Sequence, residues 1–379
     1  MQRERAGGEQ LDEHPPRPDA TWIPEVISAF GDPSSAIFGD LPAELPRAVA
    51  AAVGMACVAA DPHACTGLGA CVRDVCACFS GWKGADCATL DVRPVRAARS
   101  GWPQAQLGGR PNWGAAVVWE ADEGAWYSFV GAKRDMSEGA PDTFAANSGL
   151  HLLTSPHVGG PWTYVREERT NADGPLGFRV DVKRDPTDGA LLLITEGYAA
   201  GTGFGFILRR SPSGSALGPW TEHLVYELTS VEVDGATDWT ADASNTDPDR
   251  WDCRMADPSL AILPSGEAVV AYRGTPCCCN AHIGAWGPAG EHEPEKMGLL
   301  RASSWAGTYV RTGAPIFAGD GGDNEDPYLW VGPRGGLHML MHSQNPSHND
   351  NDVRGAVAFS SDGGASWRRS VSDARSDLD

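Results

Sequence analysis

MADPSLAILPSGEAVVAYRG, residues 255–274, reads as two short apolar arms around a Pro-Ser-Gly turn. Ala, Val, Ile, Leu and Tyr fill the arms, and the turn residues suit a tight connection, so the stretch is a β-hairpin. The design recurs in NWGAAVVWEADEGAWYSFVGAK (112–133), FRVDVKRDPTDGALLLITEGY (178–198) and EDPYLWVGPRGGLHMLMHS (325–343). Each hairpin precedes a third apolar run ending in Ser: SGLHLLTS (148–155), FGFILRRS (204–211), MGLLRAS (297–303) and GAVAFSS (355–361). A fourth, shorter run follows: GPWTYV, GPWTEHLVY, GTYVRT and SWRRS. No stretch carries the 3.6-residue period of a long helix.

A four-stranded unit recurring roughly every 65–75 residues predicts the blades of a β-propeller. The 46 Gly and 28 Pro of the 379 residues fit such a turn-rich, all-β chain. In the last unit, Ser360-x-Asp362-x-Gly364-x-x-Trp367 resembles an Asp-box, in which the carboxylate caps a turn and the Trp packs between strands. That role is structural.

Upstream, six of the ten cysteines crowd into 57–87: Cys57, Cys65, Cys71, Cys76, Cys78 and Cys87. So short a segment cannot build an apolar core and needs covalent support. One residue between Cys76 and Cys78 is too few for a zinc knuckle, which uses about two to four. The run Cys76-x-Cys78-x5-Gly84-x2-Cys87, with Phe79 and Trp82 inside it, resembles the C-terminal half of an EGF-like domain. The resemblance implies the pairs Cys57–Cys71, Cys65–Cys76 and Cys78–Cys87; spacing alone leaves the connectivity open. The residues before the first cysteine, VGMAC, lack the acidic motif of calcium-binding EGF modules, so no calcium is expected there.

Three disulfides point to an oxidising, extracellular or cell-surface setting. No secretion signal opens the chain, which makes a truncated or mis-started N-terminus the expected resolution. The Ala-rich run at 48–60 reads as a short helix or linker, and no run reaches the ~18 apolar residues of a membrane span. A net charge of −20 disfavours nucleic acid and anionic membrane as partners. The organisation expected is a poorly ordered segment over 1–52, an EGF-like module over 53–90, and a propeller over 91–379.

The combination DPS…LPSGEAVVAYRG, EDPYLW…GGLHMLMH and SSDGGASW resembles the five-bladed propellers of arabinanases, invertases and glycoside hydrolase family 43. Only four blades are evident, so the fifth is expected to be missing or incomplete. The resemblance implies a central funnel where an Asp, a second Asp and a Glu stand at the starts of successive blades. Inverting hydrolysis needs an ionised base and a general acid of raised pKa. Carried over, the catalytic candidates are Asp257 and Asp326, then Asp181 and Glu325. Glu325 and Asp326 are neighbours on a strand and should point to opposite faces, with Asp326 toward the funnel. Blade one offers Asn112 and Trp113 where a base would stand. Arg273 and His342 end second strands, which puts them toward the far rim unless the strand curls back; they complete the substrate-binding candidates. The plainer reading of each Asp before Pro is a cap on the strand entrance.

No cofactor is expected. The acidic stretch DGATDWTADASNTDPDRWDC (234–253) offers oxygen ligands suited to Ca²⁺, though a solvated loop explains it as well. Cys253 is expected to pair with Cys277 or a neighbour in the CCC run at 277–279. Most of the fourteen Trp lie in turn motifs and read as packing. Three functions stay open: a glycoside hydrolase-like enzyme, a non-catalytic glycan- or protein-binding propeller, and an adhesion protein built from both modules.

Overall fold

The computed structural model describes residues 57–58, 61, 64–79, 81–87, 89–91, 107, 110, 112–133, 148–168, 176–198, 204–233, 236–241, 251–252, 254–275, 295–317, 323–344 and 353–370. Segment 1–52, Cys253 and Cys277 to Cys279 lie outside them, as does most of the acidic stretch. Among the described residues no helix is long and apolar enough to cross a membrane.

The cysteine module is a hairpin of β1 (Gly69–Val72) and β2 (Val75–Cys78), followed by the short pair β3 (Trp82–Lys83) and β4 (Thr89–Leu90). Its three disulfides are those the EGF resemblance implied: Cys57–Cys71, Cys65–Cys76 and Cys78–Cys87.

Four antiparallel blades follow, each hydrogen-bonded in chain order. Blade one is β5 (Asn112–Glu120), β6 (Ala125–Lys133), β7 (Ser148–Ser155) and β8 (Thr163–Glu167). Blade two is β9 (Leu176–Arg184), β10 (Leu191–Tyr198), β11 (Phe204–Ser211) and β12 (Thr221–Val233). A linking strand, β13 (Ala236–Ala241), joins β12 to the first strand of blade three, so blades two and three share one nine-stranded sheet. Blade three is β14 (Arg254–Ile262), β15 (Ala268–Thr275), β16 (Lys296–Ala302) and β17 (Val310–Arg311). Blade four is β18 (Asp323–Val331), β19 (Leu337–Gln344), β20 (Val353–Ser360) and β21 (Arg368–Ser370).

Successive side chains on a strand face opposite ways, so each blade feeds two cores. Leu191 and Leu193 pack with Phe129 and Leu152 of blade one, while Leu192 and Ile194 pack with Val270 and Tyr272 of blade three. This explains the uninterrupted run LLLI: with a blade on either side, there is no solvent face for a polar residue. Val269 and Met297 then meet Leu329 and Met339 between blades three and four. The Asp-box behaves as read: Asp362 accepts from Ser360 Oγ at 2.7 Å and from Ser366 N at 2.9 Å, and Trp367 packs into the core between blades three and four.

Candidate functional site

The innermost strands β5, β9, β14 and β18 each carry a bulge near their start. The ladder skips Gly114 in blade one, Arg179 in blade two, Asp257 in blade three and Asp326 in blade four. All four residues adopt left-handed backbone, with φ of 64°, 62°, 60° and 51°. For a non-glycine residue this costs about 1–2 kcal/mol, so three such residues in equivalent slots mark a place the fold holds against local preference. At Gly114 the slot tolerates nothing larger without adjustment, since a Cβ would approach Arg179 Cα to 3.3 Å.

Opposite the residue before each bulge, the second strand supplies Gly131, Glu196, Arg273 and His342. Arg273 and His342 therefore stand at the same end as Asp257 and Asp326, not at the far rim. In an antiparallel hairpin the end of the second strand lies beside the start of the first.

These two sets converge. Arg179 pairs with Asp257 and, at 2.9 Å, with Asp326, so blades two, three and four meet at one guanidinium. Arg273 Nε lies 3.0 Å from Asp257 Oδ2, and its Nη1 lies 2.8 Å from Glu295 and 3.3 Å from Glu325. His342 Nδ1 is 3.1 Å from Asp326 and 3.9 Å from Glu325. Glu196 accepts the Asp257 backbone N–H on Oε1; its Oε2 is buried with no hydrogen-bond partner among the described residues.

Glu325 and Asp326 both join the cluster, against the expectation that only one could. The bulge between Glu325 and Tyr328, with left-handed Asp326, breaks the two-residue alternation on which that expectation rested. Among the described residues neither the Asp257 nor the Asp326 carboxylate has a backbone N–H cap; both turn to arginine.

Asp181 takes the capping role. It makes none of these contacts: Oδ2 accepts from Ser259 Oγ at 2.7 Å and Leu260 N at 3.0 Å, and Oδ1 accepts from Lys183 at 2.8 Å. Ser259 Oγ in turn accepts from Leu329 N at 2.8 Å, stitching blades two, three and four below the mouth. Ser259→Ala would leave a buried N–H and a buried carboxylate each one partner short. We expect a loss of about 2–3 kcal/mol in urea unfolding; a change within 0.5 kcal/mol, the usual range for surface sites, would deny the stitch.

The electrostatics follow from five carboxyl groups facing two guanidiniums and one imidazole. Burial raises the Glu196 pKa to about 7, with the arginines opposing in part. Burial also acts to raise Asp326, but the His342 hydrogen bond and the charges of Arg179, His342 and Arg273 prevail and hold it below its ordinary value. The hydrogen bond to Asp326 raises His342. Access differs sharply across the cluster. The Asp257 side chain is 2% exposed, against 24% for Asp326 and 51% for His342.

Two carboxylate oxygens on one guanidinium nitrogen lie within about 6 Å of each other, two hydrogen-bond lengths. Inverting chemistry needs carboxyl groups ~6.5–9.5 Å apart with room for water. Asn112 is exposed at the start of β5; of Trp113 only the backbone, paired with Gly131, is described. Glu325, Asp326 and His342 also place three donor atoms within 4.8 Å of one another. The guanidinium groups of Arg179 and Arg273 already neutralise the same carboxylates.

Arg179, Glu196 and Glu295 were missed in the sequence. Arg179 could have been found by aligning FRVDV on MADPS at the skipped residue, and Glu196 by aligning TEGY on YRG at the strand end.

Residues 62–89 match the model of the Teneurin-like EGF domain. No curated protein matches the chain. Among solved structures, a protein of unknown function from Dyadobacter fermentans is similar at 15% identity, with 68% of each chain covered and a TM-score of 0.46. A family 117 glycoside hydrolase produced by Zobellia galactanivorans is similar at 12% identity over 70% of each chain, TM-score 0.45. An α-L-arabinanase of Cellvibrio cellulosa is similar at 10% identity over 65% of this chain and 73% of that chain, TM-score 0.42.

Proposed function

We propose that the chain is an extracellular glycan-binding propeller that holds a sugar at the funnel mouth without hydrolysing it. The observation that carries this reading is Arg179, which stands in the blade-two slot and ties Asp257 to Asp326. Blade one brings Gly114 and Gly131 to its two slots, so neither offers a base. What remains accessible is Asp326 with His342, backed by Glu325. A carboxylate and an imidazole side by side suit a vicinal diol, one hydroxyl donating to Asp326 and the next meeting the ring nitrogen. The three disulfides of the EGF-like module support an oxidising compartment.

The test is an array of neutral and acidic glycans probed with the oxidised chain, alongside an assay for released sugar. Binding without release is expected, weakened about tenfold or more in Asp326→Asn, the cost of a charge-assisted hydrogen bond. Sugar release that disappears in Asp326→Asn would instead make the protein a hydrolase. An array without any binding would remove the glycan reading.

A further inference from the structure

Blades two and three are covered on both faces by their neighbours; among the described residues, blades one and four each keep one face that no other blade packs against. On blade four that face carries a row of rings. Trp330, His338 and Phe359 lie side by side across β18, β19 and β20, stacked at 5.2 and 4.8 Å. Such a row has the chemistry of a blade-to-blade interface. Its occupant is the EGF-like module.

Trp82 of the module stacks on Trp330 at 6.2 Å and 19°. Leu68, Trp82 and Cys87 form one buried cluster with Trp330 and Val357. Gly67 lies so close that a Cβ would fall 2.6 Å from the Phe359 ring, and its φ of 70° also favours glycine. Arg334 of the β18–β19 turn donates to Gly69 O at 2.5 Å. His338 is 1% exposed, and burial pushes its pKa down to about 4. It packs as a neutral ring.

The module precedes blade one in the chain, yet it rests on blade four. Leu107, between the module and blade one, is buried against Val130 and Leu153 on the other unshared face. Both faces thus meet residues upstream of the blades. We infer that the EGF-like module is an integral part of the propeller, docked as a wedge on the open face of blade four and not a tethered spacer. Because β18 and β19 also carry Glu325, Asp326 and His342, the wedge braces one side of the funnel mouth.

The test uses the full oxidised chain, Trp82→Ala and Gly67→Ala, both variants keeping every cysteine. Calorimetry should show the module and the blades melting in one transition, lowered by ~5 °C or more in each variant, two or more kcal/mol for a chain of this size. Hydrogen exchange should quicken at least tenfold in β18–β20 and stay unchanged in β9–β11. Reducing the disulfides should have the same two effects. If the blades melt within ~1 °C of the parent after reduction and in both variants, with blade-four exchange unaltered, the module is an independent appendage and the inference falls.

Discussion

Replacing Arg179 by Met should cost the protein about 3–5 kcal/mol of unfolding free energy, among the largest single-residue losses the fold can show. The guanidinium neutralises Asp257, which is nearly sealed from water, and at the same time holds Asp326 at 2.9 Å. Without it Asp257 keeps, among the described residues, Arg273 alone, and Arg273 is shared with Glu295 and Glu325. The penalty arises from a buried charge left short of its counter-charge, not from lost volume, since Met fills a comparable space. Adding Asp257→Asn to Arg179→Met should therefore recover half of the loss or more. Urea midpoints of the parent, both single variants and the double variant form the cycle that measures this coupling. A loss below about 1 kcal/mol in Arg179→Met, or additive single effects, would mean that the bridge between blades does not carry the site.

The second large effect is on pH dependence. Glu196 has an ordinary pKa of 4.5 and one of about 7 in the folded protein, because burial penalises its charge. The folded chain thus binds a proton that the unfolded chain releases between those values. Its contribution is full below pH 4.5 and falls as pH rises toward 7, by about 3 kcal/mol in all. Glu196→Gln keeps an acceptor for the Asp257 N–H and removes the titration. The parent should lose about 3 kcal/mol more than the variant between pH 4.5 and pH 8. Asp326, held below its ordinary value, acts in the opposite sense and only at lower pH. His342, raised, contributes stability that fades as pH climbs above its ordinary 6.5, so it slopes the same way as Glu196 in both proteins and cancels in the difference. Parallel stability–pH curves for parent and variant would show that Glu196 is not the proton holder.

Much of the architecture is local enough to read in one dimension. The apolar runs AVVW and LLLI, the turn residues of the Asp-box and the spacing of Cys76, Cys78 and Cys87 each report on neighbours a few residues away. Blade pattern and disulfide module followed from them. Asp257 and Asp326 were found because they head Asp-Pro strand starts that the family resemblance singled out.

Arg179 escaped because its role depends on a backbone feature that leaves no trace in composition: a bulge with positive φ, which turns a residue expected to alternate into one that meets the axis. The same feature brought Glu325 into the cluster beside Asp326 and left Asp181, two residues past its own bulge, to stitch blades together. Taken alone, the sequence determined which segments become strands and how they group into four-stranded units, because hydrophobic pattern and short loops govern those outcomes; the cysteine pairing came from the EGF resemblance, since spacing alone leaves it open. Only the tertiary structure decided that Asp257 meets Arg179 across 78 positions of chain, that burial raises the Glu196 pKa, and that Trp82 finds Trp330. Burial and Coulomb pairing act through space, and the spacing at the axis is set by how blades and module pack, which no single strand encodes.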